Sequence, residues 1–148
     1  MLFAPVVFFA LFQFKHYFFD FHLQCGNKYM LGKFKPYPYF IWPLCLHAGV
    51  NGAGTFLTLN VFTTYLSLYF FPCIHNYFWQ VLLLNFSLGI FDFITHCIID
   101  RVKSSPKLLG RYKPDDKRFW LAIGLDQGCH QLIYLLTYLI YMSKIMSL

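Results

Sequence analysis

Four long apolar runs, at roughly residues 2–24, 39–70, 77–100 and 119–142, constrain this chain more than any other feature. A bilayer-spanning helix needs about 20 consecutive, mostly apolar residues, and each run is long enough. Composition agrees. Hydrophobic residues make up 58% of the chain and charged residues only 12%, whereas about a quarter of an ordinary soluble domain is charged. The 19 Phe and 11 Tyr suit a lipid-facing exterior with interfacial rings. The sequence therefore predicts an all-α polytopic membrane protein, a four-transmembrane-helix bundle forming one domain over 1–148. The second run exceeds the required length, which allows tilting or a break near Gly49, Gly52 and Gly54.

The connections predict an orientation. The first, 25–38, carries Lys28, Lys33 and Lys35, with Pro36 and Pro38. The second is short, around Pro72 to Asn76, and has no Lys or Arg. The third, 101–118, carries Arg101, Lys103, Lys107, Arg111, Lys113, Lys117 and Arg118 against Asp115 and Asp116. Connections one and three hold ten of the twelve basic residues. The positive-inside bias places both in the cytoplasm and both termini outside, in the cytoplasmic membrane. Those two loops are expected to meet anionic lipid headgroups, and the third could act as a phosphate-holding lid. No recognition motif supports sequence-specific nucleic acid binding. The stretch from Met1 to Phe14 lacks a basic leader and a small-residue cleavage site, so a signal peptide is not expected. Cys25, Cys45, Cys73, Cys97 and Cys129 include no Cys-x-x-Cys pair, and an odd number cannot complete a disulfide framework within one chain.

Polar residues inside the runs are patterned. All six acids are Asp. His16, Asp20 and Gln24 stand four apart in the first run, and His47 and Asn51 in the second. Asp92, His96 and Asp100 do so in the third, and Asp126 and His130 in the fourth. Residues at i and i+4 share a helix face. At 1.5 Å per residue, Asp20 and His96 lie about 6 Å, Asp126 about 10 Å and His47 about 12 Å from the cytoplasmic ends of their helices. The four stripes thus agree in depth. Each charge in a bilayer costs roughly 2.5 kcal/mol or more, so these groups must face inward and satisfy one another. A structural His–Asp network would do so, and so would a metal centre with ligands from facing helices. Imidazole and carboxylate suit Zn or Mn, as one ion or two.

The candidate metal ligands are His16, Asp20, His47, His96, Asp100, Asp126 and His130, with His16 and Asp20 also expected to take part in catalysis. Gln24, Asn51, Asp92 and Gln127 are expected to orient a ligand or a water. His22 is expected at the interface and His75 in solvent.

These motifs resemble the DUF3307 family of small bacterial and phage integral membrane proteins. The resemblance rests on His16-Tyr-Phe-Phe-Asp20-Phe-His-Leu-Gln24, Leu46-His47-Ala48, His96-Cys-Ile-Ile-Asp100-Arg101-Val-Lys103 and Asp126-Gln127-Gly-Cys-His130. They occur in the family's order along nearly the whole chain. Asn51 stands where the family usually has a second His. The resemblance implies an architecture and a site, not a reaction. Three functions follow as expectations. The first is a metal-dependent hydrolase acting on an amphiphilic or phosphorylated substrate. The second is a non-catalytic phage or bacterial membrane factor whose network is structural. The third is proton or ion passage, for which four helices leave little room.

Overall fold

The structure is a computed structural model that describes residues 3–27, 29 and 32–148. Met1, Leu2 at the head of the first expected span, and Lys28 of the first loop lie outside the described residues. Among the described residues every regular element is helical. Four long helices carry the chain: α1 Phe3–His16, α2 Ile41–Tyr69, α3 Phe78–Ser104 and α4 Lys117–Ile145. A six-residue π turn, Tyr17–His22, continues α1. Short 3-10 turns, Gly32–Phe34, Pro72–Tyr77 and Leu109–Arg111, lie in the connections.

Local chemistry explains these limits. Pro5 and Pro43 sit in the first turns of α1 and α2, where a missing N–H costs nothing. Pro72, Pro106 and Pro114 fall between helices. The Asp116 carboxylate accepts the Arg118 backbone N–H at 2.9 Å and caps α4. Two expectations are corrected. The third run does not stop at residue 100, because α3 continues one further turn to Ser104. That turn puts Lys103 on the same side as Asp100. Nor does α2 break at its glycines. It runs unbroken, and a Cβ on Gly52 would come within 2.7 Å of the Gly89 carbonyl oxygen. The glycines let α2 and α3 approach closely, as small residues do between membrane helices.

The helices alternate in direction around a ring, with α1 against α2 and α4, and α3 against α2 and α4. One end of the bundle is an aromatic core. Phe8 and Phe12 of α1, Phe62 and Leu66 of α2, and Tyr134 and Tyr141 of α4 are fully buried there. Phe8 stacks on Phe12 at 4.2 Å and meets Phe62 edge-on at 5.1 Å. The other end is polar inside.

The surface is inverted relative to a soluble bundle. Lys15, His16, Asp20, His47, Asp92, His96, Asp100, Asp126 and His130 are buried. Trp42, Leu57, Val61, Leu83, Ile94, Leu121 and Leu132 are exposed. By length and mean hydropathy, one segment among the described residues, Pro72–Arg111, is long and apolar enough to cross a membrane. That alone is weak support for insertion. The other helices carry polar residues that lower their mean hydropathy: Gln13, Lys15 and His16 in α1, Asn51 and Asn60 in α2, Asp126 and His130 in α4.

Candidate metal centre

The π turn and the helices α2, α3 and α4 bring Asp and His side chains to the same end of the bundle. Two groups of buried ligand atoms converge there: Asp20, His47, His96 and Asp100 in one, and Asp100, Asp126 and His130 in the other. Either could hold a metal ion, and Asp100 belongs to both.

In the first group, His47 Nε2 lies 2.8 Å from Asp20 Oδ1, 3.1 Å from Asp100 Oδ2 and 3.1 Å from His96 Nε2. His96 Nε2 lies 3.5 Å from Asp20 Oδ1 and 3.8 Å from Asp100 Oδ2. One ring N–H cannot serve three acceptors, so hydrogen bonding alone does not explain this convergence. Ligand atoms about 2.0–2.2 Å from a tetrahedral ion stand roughly 3.2–3.6 Å apart, and the separations here, 2.8–3.8 Å, fall on both sides of that range. The far Nδ1 atoms of His47 and His96 are buried and have no hydrogen-bond partner.

In the second group, His130 Nε2 is 3.9 Å from Asp100 Oδ1 and 3.7 Å from Asp126 Oδ1. All three atoms are buried without a hydrogen bond, and Asp100 Oδ1 has the Lys103 ammonium 3.0 Å away as an ion-pair contact. Unsatisfied buried polar atoms are rare and costly. Three of them facing one gap could hold a metal ion together.

The remaining expected residues take other places. His16 is in neither ligand group. Its Nδ1 is 2.9 Å from the Tyr134 hydroxyl and 3.7 Å from Asp20 Oδ2, while its Nε2 meets Gln127 Oε1 at 2.8 Å. The π turn that follows it has bonds from i to i+5, as from Leu23 N–H to Phe18 O. Gln127 also donates to Asp126 Oδ2 at 2.9 Å, which links His16 to a ligand. Gln24 accepts from Lys33 at 3.3 Å. Asn51 donates to the His47 carbonyl at 3.2 Å and its Oδ1 has no partner. Neither group includes residue 51. Asp92 does not orient a ligand. It pairs with Lys15 at 2.8 Å and accepts from Thr55 at 2.7 Å, deeper in the bundle. His22 and His75 are exposed, as expected.

Three lysines at or near the centre were not expected there. Lys33 folds in from the first connection to Asp100 Oδ2 at 2.5 Å. Lys103 lies 3.0 Å from Asp100 Oδ1 and 2.8 Å from Asp126 Oδ2. Burial pulls the Lys33 ammonium below its ordinary range, with Asp100 pulling the other way. At Lys103 burial also pulls downward, but Asp100 and Asp126 outweigh it and raise the group. The loop cations Lys35, Lys107, Arg111, Lys113, Lys117 and Arg118 stay exposed, and Arg101 stacks over Phe40 at 3.5 Å. Helical extension of α3 is the signal that could have found Lys103, three residues after Asp100. Lys15 had its own signal, a charge inside an apolar run that needs a partner. No sequence pattern points from Lys33 to Asp100, 67 residues away.

Two surface cavities reach this end. One of about 540 Å³ is lined by Tyr17, Asp20, Phe21, Gln24, Lys103 and Gln127, among others. The other, about 260 Å³, shares Phe21, Lys103 and Gln127 and reaches Asp126. Comparison with family models, curated proteins and solved structures finds no match to this chain.

Proposed function

We propose that the chain is a four-span protein of the cytoplasmic membrane and a metal-dependent hydrolase acting on an amphiphilic substrate, with its centre near the cytoplasmic face. The carrying observation is the sharing of Asp100. Its Oδ2 belongs to the Asp20–His47–His96 convergence, and its Oδ1 faces the unpartnered Asp126 Oδ1 and His130 Nε2. A carboxylate disposed this way suits two adjacent cations, Zn or Mn. The inverted surface supports residence in a bilayer, and the four motifs shared with the DUF3307 family support kinship with its members. A divalent ion at such a centre lowers the pKa of bound water and polarises a phosphoryl or acyl oxygen. Asp20, Asp100 and Asp126 supply the anionic ligands. His16, held by Tyr134 and Gln127 beside Asp20, is placed to accept a proton.

Metal content separates the positions. The wild-type chain, purified in detergent, is expected to hold up to two equivalents of Zn or Mn by elemental analysis. Asp126→Asn and Asp20→Asn are each expected to lose one position, and Asp100→Asn both. Hydrolysis in mixed micelles is expected to stop with a chelator and return with the metal. A wild-type chain that stays metal-free after exposure to both ions would sink the reading.

One observation favours the structural alternative: Lys33 and Lys103 already neutralise two of the three carboxylates. That reading expects His96→Ala and Asp126→Ala to lose folding and function together. Well-folded but inactive variants decide for the metal centre.

A further inference from the structure

We infer that Lys103 holds an anionic phosphoryl group in the 540 Å³ cavity beside the metal centre, so that the substrate is a phosphate ester. This rests on the metal-centre reading and adds the class of substrate.

Charge is the first argument. Three carboxylates, Asp20, Asp100 and Asp126, face two ammonium groups, Lys33 and Lys103, which leaves one negative charge with the imidazoles neutral. One divalent cation turns the centre positive, and two make it more so. A buried excess of positive charge calls for an anion. Geometry is the second. Lys103 is partly open, with its side chain 21% exposed, and lines both cavities that reach the carboxylates. An ammonium has three N–H donors. Asp126 takes one, and Asp100 Oδ1 is an ion-pair neighbour at 3.0 Å without a hydrogen bond, which leaves a donor for a ligand in the cavity. Gln24 and Gln127 line the same space with polar groups. The shape is the third. Tyr17 and Phe21, both exposed, form its wall on the outer side of the π turn. A phosphate entering there has apolar surface beside it for a tail.

A lipid headgroup and a soluble phosphate offer the same chemistry to Lys103. Calorimetric titration of the full metal-loaded chain in detergent separates them, with dihexanoyl phosphatidic acid, inorganic phosphate and dihexanoyl phosphatidylcholine as probes. Phosphatidic acid is expected to bind, and zwitterionic phosphatidylcholine at least about tenfold more weakly. Lys103→Met should weaken phosphatidic acid about tenfold, the worth of a charge-assisted hydrogen bond, and Lys103→Arg should restore most of it. Inorganic phosphate binding as tightly as the lipid would identify a soluble source, and weaker binding a membrane one; both support the phosphoryl assignment. Cys25→Trp, at an exposed position lining the cavity, should block the lipid while metal content stays unchanged. It carries the test if Lys103→Met loses metal. Metal present, with phosphate affinity indifferent to Lys103→Met or to Cys25→Trp, would overturn this inference alone. Absence of metal from the wild-type chain would overturn the metal-centre reading and this one with it.

Discussion

Lys15 and Asp92 show how single residues are held in this bundle. Their side chains are 0% and 1% exposed, so each charge depends on the other. Thr55 donates a second hydrogen bond to the carboxylate, and Tyr134 lies 3.4 Å from the ammonium. Removing one partner strands the other, which costs about 3–5 kcal/mol for a buried pair. Asp92→Leu is therefore expected to lower stability by about that amount, read as thermal unfolding in detergent. Lys15→Met in the same chain should recover most of the loss, because both charges are then gone. A double variant as unstable as the single one would show that the pair contributes packing rather than charge. The double variant should keep its metal, since Asp92 belongs to neither ligand group. Much of the site was legible at this scale. Asp20, His47, His96, Asp100, Asp126 and His130 stood at helical spacing inside apolar runs, where ionisable groups are rare without a purpose. Lys33 and Lys103 were read by their neighbours in sequence, as loop charges, and long-range partners cannot be seen that way.

At the scale of elements, the apolar runs located all four helices to within a few residues, because length and hydrophobicity fix a helix more firmly than its ends. Two features depended on packing instead. The π turn at Tyr17–His22 interrupts the first helix between His16 and Gln24, and nothing in that segment's composition accounts for it. The glycines of α2 permitted a break or a close crossing, and only the position of α3 decides between them. Gly52→Ala tests the crossing. Its Cβ would press on backbone, the Gly89 carbonyl at 2.7 Å, which cannot swing aside. A loss of about 1–3 kcal/mol is expected from such overpacking. Gly124 has open space around an added Cβ. Gly124→Ala should be neutral or gain up to about 1 kcal/mol of helix propensity. Equal melting temperatures for the two variants would mean that α2 and α3 do not meet at Gly52.

For the whole molecule, the question is what covers the apolar exterior. Ile90, Ile94 and Ile98 of α3 and Leu121, Leu125 and Leu132 of α4 are exposed, and patches on this scale are uncommon on soluble monomers. The free cysteines probe all sides of the bundle. Cys25 follows the π turn, Cys73 lies in the turn between α2 and α3, and Cys129 faces outward on α4. Cys129 lies about 18 Å along its helix, which the proposed four-span arrangement would put near mid-bilayer. A maleimide reacts with thiolate, which does not form in hydrocarbon. In single-cysteine variants, a membrane-impermeant maleimide is expected to label Cys73 in spheroplasts and Cys25 only after permeabilisation. Cys129 should resist until detergent strips the lipid, although the folded chain leaves it exposed. Labelling of Cys129 in intact membranes at the rate of Cys73 would take α4 out of the bilayer. Labelling of Cys25 and Cys73 from one side would mean that α2 does not cross, and the positive-inside assignment of 25–38 and 101–118 would fall with it.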